Sequence, residues 1–381
     1  RYGALVFEGG AVGGPIEAWV ASVREELCLD LMRRLAATGC FDEVIAVTDR
    51  PALAHRAERE ARVTAVVEPA DPRGTEFHFG HRLNQVVAEL GLDSFLYMSG
   101  GSGALMSEAE LRRFAGAVLA GPGSIVANNV YSADMFGCAD AGRIAVEEIP
   151  AVDNQVPMWA MAERGLRAEG LEPTVGASFD IDTPADLLVF VRAAEAFRPH
   201  ATGRAELTAL VAAGPTARAW PRLADASAKL GVDLAEIALF GRVSPVTVSH
   251  LNSTTKCRIR AYSEERGMRA FGRDVPGGAR SLIARLAERV GYSQFYRDLS
   301  WCADAALVDS RVAFAHMGAC LGTEERFASD LFLWEQVGHT GAAELTQAAF
   351  ESQIPVALGG HCLVSGGVRA LAVWEHRSDV L

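Results

Sequence analysis

The sequence predicts an α/β protein: an open, mostly parallel sheet with helices on both faces, followed by a second, mainly helical α+β domain. Three observations predict it. Apolar runs of strand length alternate with longer helical patterns through the first half of the chain, the signature of crossover connections. The 381 residues exceed what one ordinary core fills. After Pro199, His200 and Gly203, which read as a linker, the chain changes character. The expected boundaries are therefore 1–198 and 204–381.

In the first domain Tyr2–Phe7 (YGALVF) reads as a buried strand, followed by a glycine-rich loop from Glu8 to Pro15 and a helix that runs through Arg34 to Ala37. Glu43–Thr48 is a second strand, Thr64–Glu68 a third, Leu83–Leu90 a helix and Ser94–Met98 a fourth strand. Glu108–Leu119 then reads as a helix, Ser124–Asn128 as a fifth strand, and Val156–Glu169 as a helix before a strand that ends near Phe179. In the second domain helices are expected over 205–213, 219–230, 233–240, 277–291, 325–338 and 341–350, with short strands at Cys257–Tyr262, Ala305–Ala315 and Pro355–Leu358.

Half of the residues are apolar, so both domains can pack well; the net charge is −12. That charge argues against coating DNA or RNA, which needs a basic face. It leaves room for a small anionic substrate in a local basic pocket, and a homo-oligomer is compatible with it. The seven cysteines include no Cys-x-x-Cys pair, so neither a structural zinc site nor a disulfide framework is expected. No apolar run approaches the roughly 20 residues of a membrane helix, and residue 1 leads straight into a strand without a basic leader. The expectation is a soluble, cytoplasmic protein with no membrane partner.

The stretch Phe179-Asp-Ile-Asp-Thr-Pro-Ala-Asp186 carries the most chemistry. Asp180 and Asp182 share one side of an extended segment of period two, Thr183 is a capping residue, Pro184 suits a first helical position and Asp186 favours a helix N-terminus. Two carboxylates at one spot suit Mg²⁺, which takes oxygen ligands, and the plain alternative is a well-capped helix start. The same residues resemble the Asp-x-Asp-Thr-Pro-x-Asp-Leu segment of nucleotidyltransferases of the molybdenum-cofactor guanylyltransferase, phospholactate guanylyltransferase and methylerythritol cytidylyltransferase type. The resemblance covers residues 1–198. It implies a nucleotide-diphospho-sugar transferase-like sheet, with Asp180 and Asp182 holding Mg²⁺ against the phosphates of an NTP.

The resemblance extends in diluted form. Gly9 and Gly10 match the glycine pair of the family's Leu-Ala-Gly-Gly opening, so Gly9, Gly10, Gly13 and Gly14 become candidate phosphate contacts. The family's following Arg and Lys have no counterparts between Val12 and Val20, and Arg24 is the nearest basic residue and the candidate for their catalytic role. The fourth strand leads into Gly100-Gly101-Ser102-Gly103, where the family carries a second metal-binding Asp; Ser102 stands in that place. Gly100, Gly101, Ser102 and Gly103 are nonetheless candidate nucleotide contacts, as are Asn84 in a segment similar to the family's Gly-Leu-Asn turn and the strand-end amides Asn128 and Asn129. Asparagines at strand ends also simply make turns.

No family resemblance is found for the second domain. Lys256, Arg258 and Arg260 alternate along one strand and would share a face suited to an anion, or would merely solvate an edge strand. His361 follows a short apolar strand in Gly359-Gly360-His361-Cys362, a strand–turn–helix geometry in which it could act as a base or anion contact. Ser365, His361 and Asp309 can be combined on paper into a triad, without the G-x-S-x-G elbow that would support it. Three functional readings follow. The leading one is a Mg²⁺-dependent enzyme that transfers NMP from an NTP to a small phosphorylated or phosphonylated acceptor with loss of pyrophosphate. The others are a catalytically lapsed fold that binds a ligand or partner, and chemistry carried by the second domain.

Overall fold

Strand β1 (Tyr2–Phe7) is an interior strand of the first sheet, and its alternation shows why the sheet is covered on both sides. Tyr2, Ala4 and Val6 point into one apolar core and Leu5 into another. The next strand repeats the pattern: in β2 (Glu43–Thr48), Val44 and Ala46 join the first core while Ile45 and Val47 join the second. Runs apolar at every position belong to strands buried on two faces.

The computed structural model describes residues 1–68, 77–198, 203–269 and 271–377. In chain order come β1, α1 (Pro15–Thr38), β2, α2 (Pro51–Ala57), β3 (Val63–Val67), α3 (Phe79–Glu89), β4 (Ser94–Ser99), α4 (Glu108–Ala120), β5 (Ser124–Ala127), β6 (Met135–Cys138), α5 (Val156–Arg164), β7 (Arg167–Gly170) and the short α6 (Val175–Ser178). They build a seven-stranded sheet of order β3-β2-β1-β4-β6-β5-β7. Strands β1 to β4 pair in parallel, β6 runs antiparallel to both of its neighbours, and β5 pairs β7 in parallel. One core gathers side chains of α1, α2 and α4, the other those of α3 and α5.

The chain continues through α7 (Pro184–Phe197), α8 (Arg204–Ala212), α9 (Ala219–Leu230), β8 (Glu236–Gly241), α10 (Pro245–Thr254), β9 (Arg258–Ser263), α11 (Leu282–Val290), α12 (Tyr292–Cys302), β10 (Ala305–Asp309), α13 (Ser310–Met317), α14 (Thr323–Asp330), α15 (Thr340–Phe350), β11 (Val356–Gly359) and α16 (Gly366–Glu375). Here the sheet is four-stranded and wholly parallel, in the order β11-β10-β8-β9. From β8 the chain moves outward to β9 and then back across to β10 and β11, so the order reverses between β8 and β10. Helices α7, α9 and α10 pack against α16, and α11, α12, α13 and α15 form a second group.

By packing, the chain forms two units: residues 1–11 with 24–177, and residues 12–23 with 178–381. The expected boundary near 198 therefore differs from the packing. Segment 178–198, including the Asp180–Asp186 motif, belongs to the second unit, and so do residues 12–23. The linker residues Pro199 and His200 lie outside the described residues.

Several expected elements are corrected. The predicted 233–240 helix is strand β8, because a short apolar run reads equally as buried strand or helix. The predicted 305–315 strand stops at Asp309 and turns into α13. The 156–169 helix ends at Arg164, where Gly165 takes a left-handed φ of 63°, and β7 follows. No strand leads into Phe179; the turn of helix α6 stands there. Helices α2, α10 and α12 and strand β6 were not anticipated. Among the described residues no helix is long and apolar enough to cross a membrane.

Candidate functional site

In the first unit the residues at the C-terminal ends of β1 and β2 satisfy one another. Glu8, only 5% exposed, receives Nη2 of Arg24 at 2.9 Å and Nε at 3.2 Å. Arg50 Nη1 stands 3.7 Å from Glu8 and 3.0 Å from Glu25. Gly100 lies so close to Glu8 that any side chain there would collide with its carboxylate. Gly10 takes φ 104° and donates its N–H to both oxygens of Asp49, at 3.1 and 3.2 Å, and Gly9 presses on the same carboxylate. A carboxylate thus occupies the amide that a phosphate would use, and Arg24 is committed to Glu8.

The neighbouring loop is also tied down. Ser102 is buried, and its hydroxyl donates to the Ser99 carbonyl at 2.8 Å. Arg34 of α1 bonds Asp30 at 3.0 Å and donates to the carbonyls of Gly103, at 3.1 Å, and Met106, at 2.9 Å, clamping Gly100-Gly101-Ser102-Gly103 to the helix. The amide candidates serve the backbone as well. Asn84 Nδ2 donates to Val146 O at 2.8 Å; Asn128 bonds Ala177 O and accepts from Asp134 N and Met135 N; Asn129 Oδ1 accepts from Tyr131 N. Glu8, Asp49 and Arg34 escaped the sequence reading because no spacing ties them together.

In the second unit Gly13 and Gly14 lead into α1. Gly13 N donates to Glu17 at 3.0 Å, and the first free amides of the helix, Ile16 N and Glu17 N, donate to the two oxygens of Glu324 at 2.9 and 2.8 Å. A side chain at position 14 would collide with Glu324. A helix N-terminus attracts anions, and here the protein's own carboxylate neutralises it.

The Asp180–Asp186 segment starts α7 as the sequence suggests. Asp186, fully buried, accepts through one oxygen from Thr183 N at 2.9 Å, Thr183 Oγ1 at 2.8 Å and Asp182 N at 3.2 Å. Burial, outweighing these bonds, pushes its carboxyl up to about 7. With Asp186 turned inward, Asp180 (buried) and Asp182 (exposed) remain as oxygen donors on either side of the buried Ile181. They fit the one or two carboxylates that Mg²⁺ usually takes from a protein, with water and phosphate supplying the rest. Among the described residues no group of three or more His, Cys, Asp or Glu is arranged for a metal. Cys362 lies here too: its sulfur accepts from Asp180 N at 3.4 Å. Burial and the field of Asp186 raise its thiol well above the ordinary value, so it stays protonated.

At the C-terminal edge of the second sheet, Asp309 at the end of β10 takes Arg242 in a fork of 2.5 and 3.0 Å, and Asp330 takes Arg311 in another of 2.7 and 2.6 Å. Burial alone would raise the Asp309 carboxyl, but Arg242 holds it below the usual range. Gly241 adopts φ 108° with no room for a side chain beside Asp309. His361, after β11, is crowded by protein atoms and by Arg242, which together push its imidazole down to about 4. Its exposed surface weakens that desolvation, and the downward direction matches the cations beside it.

The paper triad is not formed. Ser365 donates to His361 O at 2.9 Å and to Cys362 O, not to the imidazole, and Asp309 is engaged by Arg242. Lys256, Arg258 and Arg260 do not join His361 either. Lys256 pairs with Asp233, and Arg258 and Arg260 pair with Glu236 at the start of β8, the edge of the sheet away from Asp309 and Gly359. They solvate an edge strand.

No family model matches the chain and no curated protein matches it. Solved structures do. A protein of Desulfovibrio desulfuricans G20 assigned as a nucleotide-diphospho-sugar transferase aligns at 13% identity and TM-score 0.39, covering 55% of this chain and 94% of its own. A cytidylyltransferase of Leptospira borgpetersenii serovar Hardjo-bovis aligns at 12% identity and TM-score 0.38, covering 55% and 93%. A protein of Mycobacterium tuberculosis H37Rv aligns at 17% identity and TM-score 0.34, covering 49% and 94%. Likeness at this level establishes no activity, and the fold stands on the strand order itself.

Proposed function

We propose that this protein is a nucleotidyltransferase-like enzyme that moves an NMP from an NTP to a small phosphorylated or phosphonylated acceptor and releases pyrophosphate. The observation that carries this reading is the carboxylate pair Asp180 and Asp182 beside the capped start of α7, with Asp186 withdrawn into its own hydrogen bonds. Bound there, Mg²⁺ would neutralise phosphate charge. The chain's own residues would contribute positioning: the Thr183–Asp186 bonds fix the backbone from which Asp182 projects, and the Cys362–Asp180 contact fixes the other carboxylate's backbone.

The test is pyrophosphate release from each of the four NTPs with Mg²⁺, against phosphorylated acids and alcohols, preceded by a thermal-shift screen. One NTP should stabilise the protein in a metal-dependent way and turn over, and Asp182→Ala should remove turnover while keeping the native melting curve. Absence of pyrophosphate release with every NTP would overturn the reading. Unchanged turnover in Asp182→Ala would overturn the metal assignment.

A further inference from the structure

We infer that the second unit carries a binding site of its own for a phosphorylated small molecule, at the C-terminal edge of its parallel sheet, built on Arg266, Arg269, Arg326 and His361. Open parallel sheets bind ligands outside the carboxyl ends of their strands where the strand order reverses. Here that place is between β8 and β10, and Gly241, Arg242, Asp309 and Ser310 stand there.

The charges at this edge divide into two classes. Arg242–Asp309 and Arg311–Asp330 are closed forks whose carboxylates have no exposed side-chain surface, so they form a rigid, neutral floor. Arg266 and Arg269 are exposed and make no ion pair among the described residues. Among the described residues the Arg326 guanidinium hydrogen-bonds only to the Thr323 hydroxyl, at 3.0 Å.

These groups feel one another. Burial, Arg242 and Arg266 lower the His361 imidazole against Asp309 and Asp182, while burial, then Arg311 and Arg269, hold the Arg326 guanidinium below its ordinary value against Asp330. The carboxylates on the far side are engaged: Glu324 caps α1, and Glu17, which acts weakly on Arg326, accepts from Gly13 N. In a chain of net charge −12, Arg266, Arg269 and Arg326 form no ion pair among the described residues, and the carboxylates that act on Arg326, Asp330 and Glu17, already accept hydrogen bonds from Arg311 and Gly13 N. A phosphate monoester, with close to two negative charges and three acceptor oxygens, matches several arginine forks better than a single carboxylate does.

The experiment uses the full chain without NTP or Mg²⁺ and measures melting and calorimetric binding with inorganic phosphate, glycerol 3-phosphate and acetate. Both phosphates should stabilise the protein and acetate should not. Tighter binding of glycerol 3-phosphate identifies an ester ligand, and equal binding identifies phosphate itself. Arg266→Ala/Arg326→Ala should weaken phosphate binding about tenfold or more, the loss of one or two charge-assisted bonds. Arg266→Ala alone, at an exposed position, gives the same direction if the double variant misfolds. Arg258→Ala/Arg260→Ala should bind phosphate as the wild type does, and Asp182→Ala, which removes a carboxylate that acts on His361, should keep or strengthen phosphate binding, whereas NTP turnover should be lost, which separates this site from the nucleotidyl-transfer reading. Phosphate and acetate acting alike, no binding of either phosphate, or undiminished phosphate binding by natively melting Arg266→Ala would overturn the inference.

Discussion

Arg24 shows how the structure changes the meaning of a residue. By sequence it is the nearest cation to the glycine loop; in the fold it neutralises the buried Glu8 at 2.9 Å. Arg24→Ala should therefore cost stability, up to about 3–5 kcal/mol, by leaving the buried carboxylate only the more distant Arg50 at 3.7 Å, a loss that a denaturant melt would read. Glu8→Gln/Arg24→Ala should recover much of it, and failure to recover would show that Arg24 acts elsewhere. Asp309 offers a pH test. Arg242 holds its folded-state carboxyl below the ordinary value of 3.8, so the pair contributes stability that is present above that value and lost as pH falls through the folded one. Asp309→Asn should be less stable at neutral pH, and its deficit should shrink on acidification below about pH 4. A deficit independent of pH would show that the pair is not what stabilises.

Among the elements, the start of α7 was legible because capping chemistry is local. Thr183, Pro184 and Asp186 form in space the turn that their order announces, with Thr183 Oγ1 2.8 Å from Asp186. Thr183→Ala should cost about 1 kcal/mol by thermal melt, and a cost near zero would mean that the hydroxyl is dispensable. Strand β8 shows the opposite case. Ile237, Ala238 and Leu239 are all buried and hydrogen-bond to strands on both sides, so no alternation marks the run as strand. The arginine strand β9 was placed correctly, but its charges meet Glu236, which lies on β8 and across 22 residues of sequence.

For the molecule as a whole, two anion affinities should be separable. Stabilisation by an NTP should need Mg²⁺ and Asp182, stabilisation by phosphate should need Arg266, and each variant should spare the other response. If Asp182→Ala and Arg266→Ala abolish the same response, the two sites are one. By itself the sequence determined that the chain is α/β, where most strands of the first sheet lie, the absence of a long apolar span and the capped carboxylate motif at 180–186, because alternation, turn chemistry and caps act over a few residues. Only the tertiary structure decided that this motif packs with the second unit, that the second sheet is wholly parallel, and that carboxylates fill the glycine loop and the start of α1. Those outcomes depend on pairings such as Gly10 with Asp49 and Ile16 with Glu324, 39 and 308 residues apart, and nothing in the local sequence encodes such distances.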